Sequence, residues 1–276
     1  ASAASIGEDQ PGSPLVILGL SNGQSLVFRH TYKVSYPDGK KTISPEIEYP
    51  YGEAPMVLDE AGRPLEHVAL NATETSLVIA GSSGSHLNVL SVSREENMMT
   101  GEVVSEQKRI DLPQMTEPVK AIFVDPRQQW LYVINGRALA DVFSLRDNSL
   151  NGRYKLLEDG SAEITASTQL VGGISLIVGA SKSGLAQWFM ARDPDGEQHL
   201  KQIRTFQMGS TPVVEITAEE RRKGFTALDA SGNFGVFHST AHRTLLVDPV
   251  VEGQGIFGMS PRANRVIVEA GGKLQP

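Results

Sequence analysis

Apolar residues in this chain fall in short runs that come in pairs, and the pairs repeat. Residues 77–92 read LVIAGSSGSHLNVLSV, an apolar run, a small polar turn containing Gly84, then a second run. Two β-rich runs joined by a glycine-bearing turn predict a hairpin, the glycine supplying a positive φ. The phrase returns as LVILGLSNGQSLVF from Leu15, LIVGASKSGLAQWF from Leu176 and FTALDASGNFGVF from Phe225. Looser copies are LYVINGRALADVF from Leu131 and RVIVEAGGKLQ from Arg265.

The aligned turn glycines are Gly23, Gly84, Gly136, Gly184, Gly232 and Gly272. Their spacing falls from about 60 to about 40 residues, a period shared by helical solenoids and propellers. No i, i+3, i+4 apolar pattern persists for three turns, which leaves strands. Leading strands are expected at residues 67–70, 119–124, 164–169, 213–217 and 255–259. Trailing strands are expected at 108–112, 153–157, 200–208 and 243–247. Four strands per repeat make a propeller blade. The first gap is long because residues 32–51 add an extended hairpin across Pro37-Asp38-Gly39. The first repeat lacks a leader and the sixth stops just inside its second run. The expected fold is therefore an all-β β-propeller of about six blades, with five to seven allowed by these ends. Residues 1–13 read as a flexible lead-in and 14–276 as a single propeller domain.

Composition narrows the function classes. A net charge of −7 argues against a general nucleic-acid surface or docking on anionic lipid. With no cysteine, thiolate catalysis and Cys-based zinc sites are excluded. No apolar run is long enough to span a bilayer, and the N-terminus has no signal-peptide pattern.

Candidate chemistry is sparse. His238 and His242 are the one close pair among six histidines, with Asp248 nearby. Their i, i+4 spacing places two imidazoles on one face only in a helix, and here they flank a strand end. Glu95-Glu96 and Glu219-Glu220 are expected in turns facing solvent. Asp125, Asp229, Asn135 and Asn71 are the side chains that a channel-bound calcium would need, yet they do not recur at one repeat address. The turn 179–184 (GASKSG) lacks the following helix that a phosphate loop requires. Basic turns at Lys40-Lys41, 221–223, Arg137, Lys182 and Arg262 mix with acids. Met98-Met99 form an apolar spot in a long loop, suited to partner contact. No catalytic, cofactor-binding or metal residue is assigned, and no cofactor is expected.

Three phrases, LVIAGSSGSHLNVLSV, LVILGLSNGQSLVF and LIVGASKSGLAQWF, resemble the second hairpin of WD40 repeats. The Gly-His and Trp-Asp dipeptides are missing, and Trp130 and Trp188 lie off the Trp-Asp position. More narrowly, the chain is similar to the large extracytoplasmic insert in the long-form permease subunit of gamma-proteobacterial phosphate ABC importers. Residues 255–276 (GIFGMSPRANRVIVEAGGKLQP), 124–143 (VDPRQQWLYVINGRALADVF) and 65–81 (LEHVALNATETSLVIAG) carry that likeness.

The resemblance implies a periplasmic domain of an inner-membrane protein. Its partners would be other importer subunits, such as the substrate-binding protein or the partner permease, or a sensor, with no nucleic acid. Membrane association would come only through transmembrane segments that this chain lacks. No functional residue carries over, because the family's transport path lies in those segments. The leading expectation is a non-enzymatic interaction or regulatory module. The alternatives are a metal-dependent propeller hydrolase or lactonase and a free-standing protein–protein scaffold. Divergence between the copies points to the 32–51 extension, the 94–106 loop and the 193–199 turn.

Overall fold

The structure, a computed structural model, describes residues 1–10, 13–96, 98–100, 103–158, 162–170, 175–182, 184–219, 223–249, 257–259, 266–270 and 273–275. It is an all-β protein, a five-bladed β-propeller, at the low end of the expected blade range. Contacts divide the chain into two compact units. The first is Ala1–Val133 with Phe143–Leu150, the second Ile134–Val142 with Asn151–Pro276.

The first sheet holds β1 (Ala3–Gln10), β2 (Ser13–Gly19), β3 (Gln24–Ser35) and β4 (Thr42–Glu48), with β5 (Met56–Val57) also paired to β3. The second holds β6 (His67–Ala72), β7 (Ser76–Ser83), β8 (His86–Glu96) and β9 (Val103–Ile110). The third is β10 (Val119–Val124), β11 (Trp130–Asn135), β12 (Leu139–Ser144) and β13 (Ser149–Lys155). The fourth is β14 (Ile164–Gln169), β15 (Ser175–Ala180), β16 (Leu185–Arg192) and β17 (Gln198–Phe206). The fifth is β18 (Val213–Ala218), β19 (Gly224–Asp229), β20 (Asn233–His238) and β21 (Arg243–Pro249). The sixth copy of the phrase forms a three-stranded sheet of β22 (Phe257–Met259), β23 (Val266–Ala270) and β24 (Lys273–Gln275).

The repeated phrase is the β7–β8 type of hairpin, and its apolar continuity has a packing cause. Leu77 and Ile79 of β7 join one core with Leu15, Ile17 and Val27 of the first sheet. Val78 and Ala80, on the other face of the same strand, join a second core with Leu131, Val133 and Phe143. A strand buried on both faces needs apolar residues at every position rather than at alternate ones. In the second unit, Phe225 and Phe237 stack at 5.0 Å while Phe206 meets both edge-on, closing a core with Ile177, Leu185 and Val213.

Two expectations need correcting. The first repeat does have a leading strand: Ala3–Gln10 pairs antiparallel with β2, Ile6 opposite Val16. The segment lacks an apolar run, and edge strands need few apolar residues because only part of their surface is covered. The 94–106 stretch is not a long loop either. β8 runs to Glu96 and β9 starts at Val103, with Glu95 paired to Val104.

Candidate functional site

The acids and amides that a channel metal would need are used by the backbone. Asp229 Oδ1 accepts from the N–H groups of Ser231 (3.0 Å) and Asn233 (2.9 Å), and Oδ2 accepts from Asn233 Nδ2 (2.8 Å). Asn135 Oδ1 accepts from Arg137 N–H (3.0 Å) and Leu139 N–H (3.2 Å). Both residues end the second strand of a blade, so these two do share one repeat address, contrary to the sequence expectation. Asp193 repeats the pattern toward Asp195 and Glu197 in the 193–199 turn, where His199 Nε2 also lies 3.2 Å from its Oδ2. A side-chain oxygen taking the second and fourth following N–H groups closes an Asx-type turn. These are turn locks.

Asp125 does the same between β10 and β11, accepting from Arg127, Gln129 and Trp130 N–H groups at 3.1, 2.6 and 2.7 Å. Burial nevertheless pushes its carboxyl above the ordinary aspartate value, against the pull of those bonds. Burial, followed by the Asp125 charge, likewise raises the Tyr132 phenol. At Asp229 burial acts upward too, but the Asn233, Thr211 and Ser231 bonds outweigh it and the carboxyl lies below its ordinary value. Asn71 is a fastener between neighbouring sheets of the first unit, donating from Nδ2 to Val124 O at 3.3 Å.

The remaining sequence candidates separate. His238 Nδ1 accepts from Ala241 N–H at 3.2 Å. His242 Nε2 is 2.9 Å from Thr205 O, its ring edge-on to Phe206 at 5.2 Å. The two rings therefore serve the β20–β21 turn and the packing beside it. No group of three or more potential metal ligands gathers among the described residues. The 179–184 turn joins β15 to β16, strand to strand, with Gly184 at φ 88°. Glu95 lies on β8 rather than in a turn, and Glu219 is buried at the end of β18. Glu220, Arg221, Arg222 and Arg262 lie outside the described residues.

The segments where the copies differ stand out in exposure. Met98 and Met99, at the β8–β9 tip, are 99% and 96% exposed. The larger feature is the β3–β4 ribbon. β3 pairs with β2 only as far as Arg29 and then continues paired with β4 alone. Its cross-strand pairs His30–Ile47, Tyr32–Pro45 and Val34–Ile43 occupy one face. Arg29–Glu48, Thr31–Glu46, Lys33–Ser44 and Ser35–Thr42 occupy the other. The apolar face lies open, with Tyr32 67%, Ile43 58% and Ile47 56% exposed. Period-two alternation in YKVSY and TISPEIEY was visible in the sequence. That none of the described strands covers it was not.

At the foot of the ribbon, a groove of about 420 Å³ is lined by Tyr51, Met56, Val57, Leu90, Gln107 and Arg109. The Arg109 guanidinium donates to Leu58 O (2.8 Å) and Val57 O (2.9 Å) and pairs with Glu60 at 2.8 Å. Arg94 lies over the Tyr51 ring at 5.6 Å. Three Arg109 donors are thus turned to chain carbonyls and a carboxylate.

No protein-family model matches the sequence, and no curated protein matches it. Among solved structures, the crystal structure of Sqt1 from Chaetomium thermophilum superposes with a TM-score of 0.57 at 11% identity. That match covers 92% of this chain, which spans 63% of the Sqt1 structure's length. Likeness at this identity carries the fold and not the activity, and the fold it carries is the β-propeller.

Proposed function

We propose that this chain is a non-catalytic interaction domain, displayed in the periplasm by the permease subunit of a phosphate ABC importer. The observation that carries the first half is the contrast between its polar and apolar residues. Asp125, Asn135, Asp193 and Asp229 face the N–H groups of their own turns, while Tyr32, Val34, Ile43 and Ile47 lie exposed together on the β3–β4 ribbon. Rigid blades that hold variable loops are a common platform for partner recognition. The second half rests on the likeness of residues 65–81, 124–143 and 255–276 to the importer insert. The substrate-binding protein or the partner permease is the expected contact.

The coding sequence on either side of this chain tests the transporter assignment. Apolar segments of about 20 residues on both flanks are expected. Polar flanks on both sides would refute it. Elemental analysis of the purified protein tests the non-catalytic half, since stoichiometric calcium or zinc would favour a metal-dependent hydrolase.

A further inference from the structure

The methionines whose side chains are described divide sharply by exposure. Met56, Met115 and Met190 are 6%, 6% and 8% exposed, and the first two sit inside hydrophobic cores. Met208 packs partly buried against the core around Phe206. Met98 and Met99, neighbours in the chain, are 99% and 96% exposed. The last cross-strand pair between β8 and β9 is Glu96–Val103, so both methionines lie beyond the ladder at its tip.

We propose that Met98 and Met99 form a reversible oxidation site, each taking one oxygen atom from a peroxide. The inference is independent of the transporter reading. The thioether sulfur attacks a peroxide oxygen with a lone pair, and the S–O bond forms as the O–O bond breaks. Sulfur gives up two electrons, and the departing hydroxide takes the remaining proton and leaves as water. Methionine sulfoxide reductases reverse the step with a dithiol, yielding methionine, a disulfide and water.

Two conditions select this pair. The oxidant must reach the sulfur, and the surroundings must tolerate a product that is polar and chiral. At the tip, the sulfoxide oxygens are hydrated and no core contact is lost. At Met56 or Met115 the same oxygen would enter an apolar core without a hydrogen-bond donor, at a cost in stability. Glu95 and Glu96 end β8 beside the tip, which favours a neutral peroxide over an anionic oxidant. Oxidation thus turns the tip from apolar to polar while the blade stays folded.

Hydrogen peroxide treatment of the whole chain, followed over time by peptide mass spectrometry, tests the proposal. Met98 and Met99 should oxidise close to the rate of free methionine, and at least ~10-fold faster than Met56, Met115 and Met190. At that stage circular dichroism and melting temperature should be unchanged, while retention on a hydrophobic-interaction column should fall. Methionine sulfoxide reductases A and B with dithiothreitol should restore the original mass and retention. Met98→Leu/Met99→Leu should remove the fast phase and keep the parent's melting temperature. Equal rates at the tip and in the cores would overturn the proposal. So would a melting temperature that falls when only the tip is oxidised, or sulfoxides that the reductases leave in place.

Discussion

Gln128 donates from Nε2 to the main-chain oxygen of Asn71 at 2.9 Å, tying the turn before β11 to β6 of the neighbouring sheet. The same side chain donates to Ser76 O at 3.2 Å and accepts from Ser76 Oγ at 2.6 Å. Its backbone takes the left-handed conformation, φ 55°, to reach there. Three bonds thus hold a residue in a conformation that glycine adopts more readily.

Gln128→Ala removes all three bonds while keeping the strained backbone. It should cost about 1–3 kcal/mol, chiefly through polar atoms left without a partner. Gln128→Gly loses the same bonds but relaxes the backbone, and should be the milder variant by up to ~1 kcal/mol. Urea unfolding of both proteins measures the difference. Equal stability of both variants with the parent would mean that the latch contributes nothing.

The pair Arg153–Asp141 predicts an asymmetry. Asp141 is 1% exposed and takes Arg153 Nε at 2.5 Å and Nη2 at 2.9 Å. The Arg153 side chain is 43% exposed. Arg153→Ala leaves a carboxylate buried without its bidentate partner and should cost about 3 kcal/mol or more. Asp141→Asn leaves a guanidinium with access to water and should cost less. Denaturant midpoints for the two variants decide the order, and the reverse order would contradict the account.

Acid stability should reflect opposed carboxylates. Asp229 lies below the ordinary aspartate value, and Asp59 does too, burial there being outweighed by Arg63 and Ala61. Their stabilisation is present above the unfolded pKa of about 3.9 and lost as pH falls through their folded values. Asp125 is raised by burial, so its contribution is full below that unfolded value and lost as pH rises through the folded one. Asp229→Asn should therefore make the acid limb of a stability–pH curve shallower, and Asp125→Asn should make it steeper. Burial lowers His67 against the opposing pull of Glu66, so its stabilisation is lost as pH falls below the ordinary histidine value and His67→Gln should flatten the curve there. Unchanged slopes in all three variants would refute the linkage.

The framework was legible because it is local. The expected leaders at 119–124 and 164–169 coincide with β10 and β14, since each run ends at a turn signal or a polar residue. Turn chemistry was less legible. Gly23, Gly84, Gly184 and Gly232 do take positive φ, but in the third repeat Ala138 does so, at 58°, rather than Gly136. Asn135 locks that turn from the side, so the glycine is not needed at the left-handed position. The Gln128 latch and the Arg153–Asp141 pair were unreadable because both depend on which strands become neighbours. The ribbon lies between these cases. Its alternation was written in the sequence, whereas its uncovered face appears only once the strand order is known.

The most direct test of the proposed interaction-domain role is phosphate uptake by the importer to which the proposal assigns this chain, with residues 14–276 replaced by a short linker. The account predicts that ATP-driven uptake persists, at least in part, because the proposal places transport chemistry outside this domain. Loss of both uptake and phosphate binding, traced to a pocket within these blades, would contradict it.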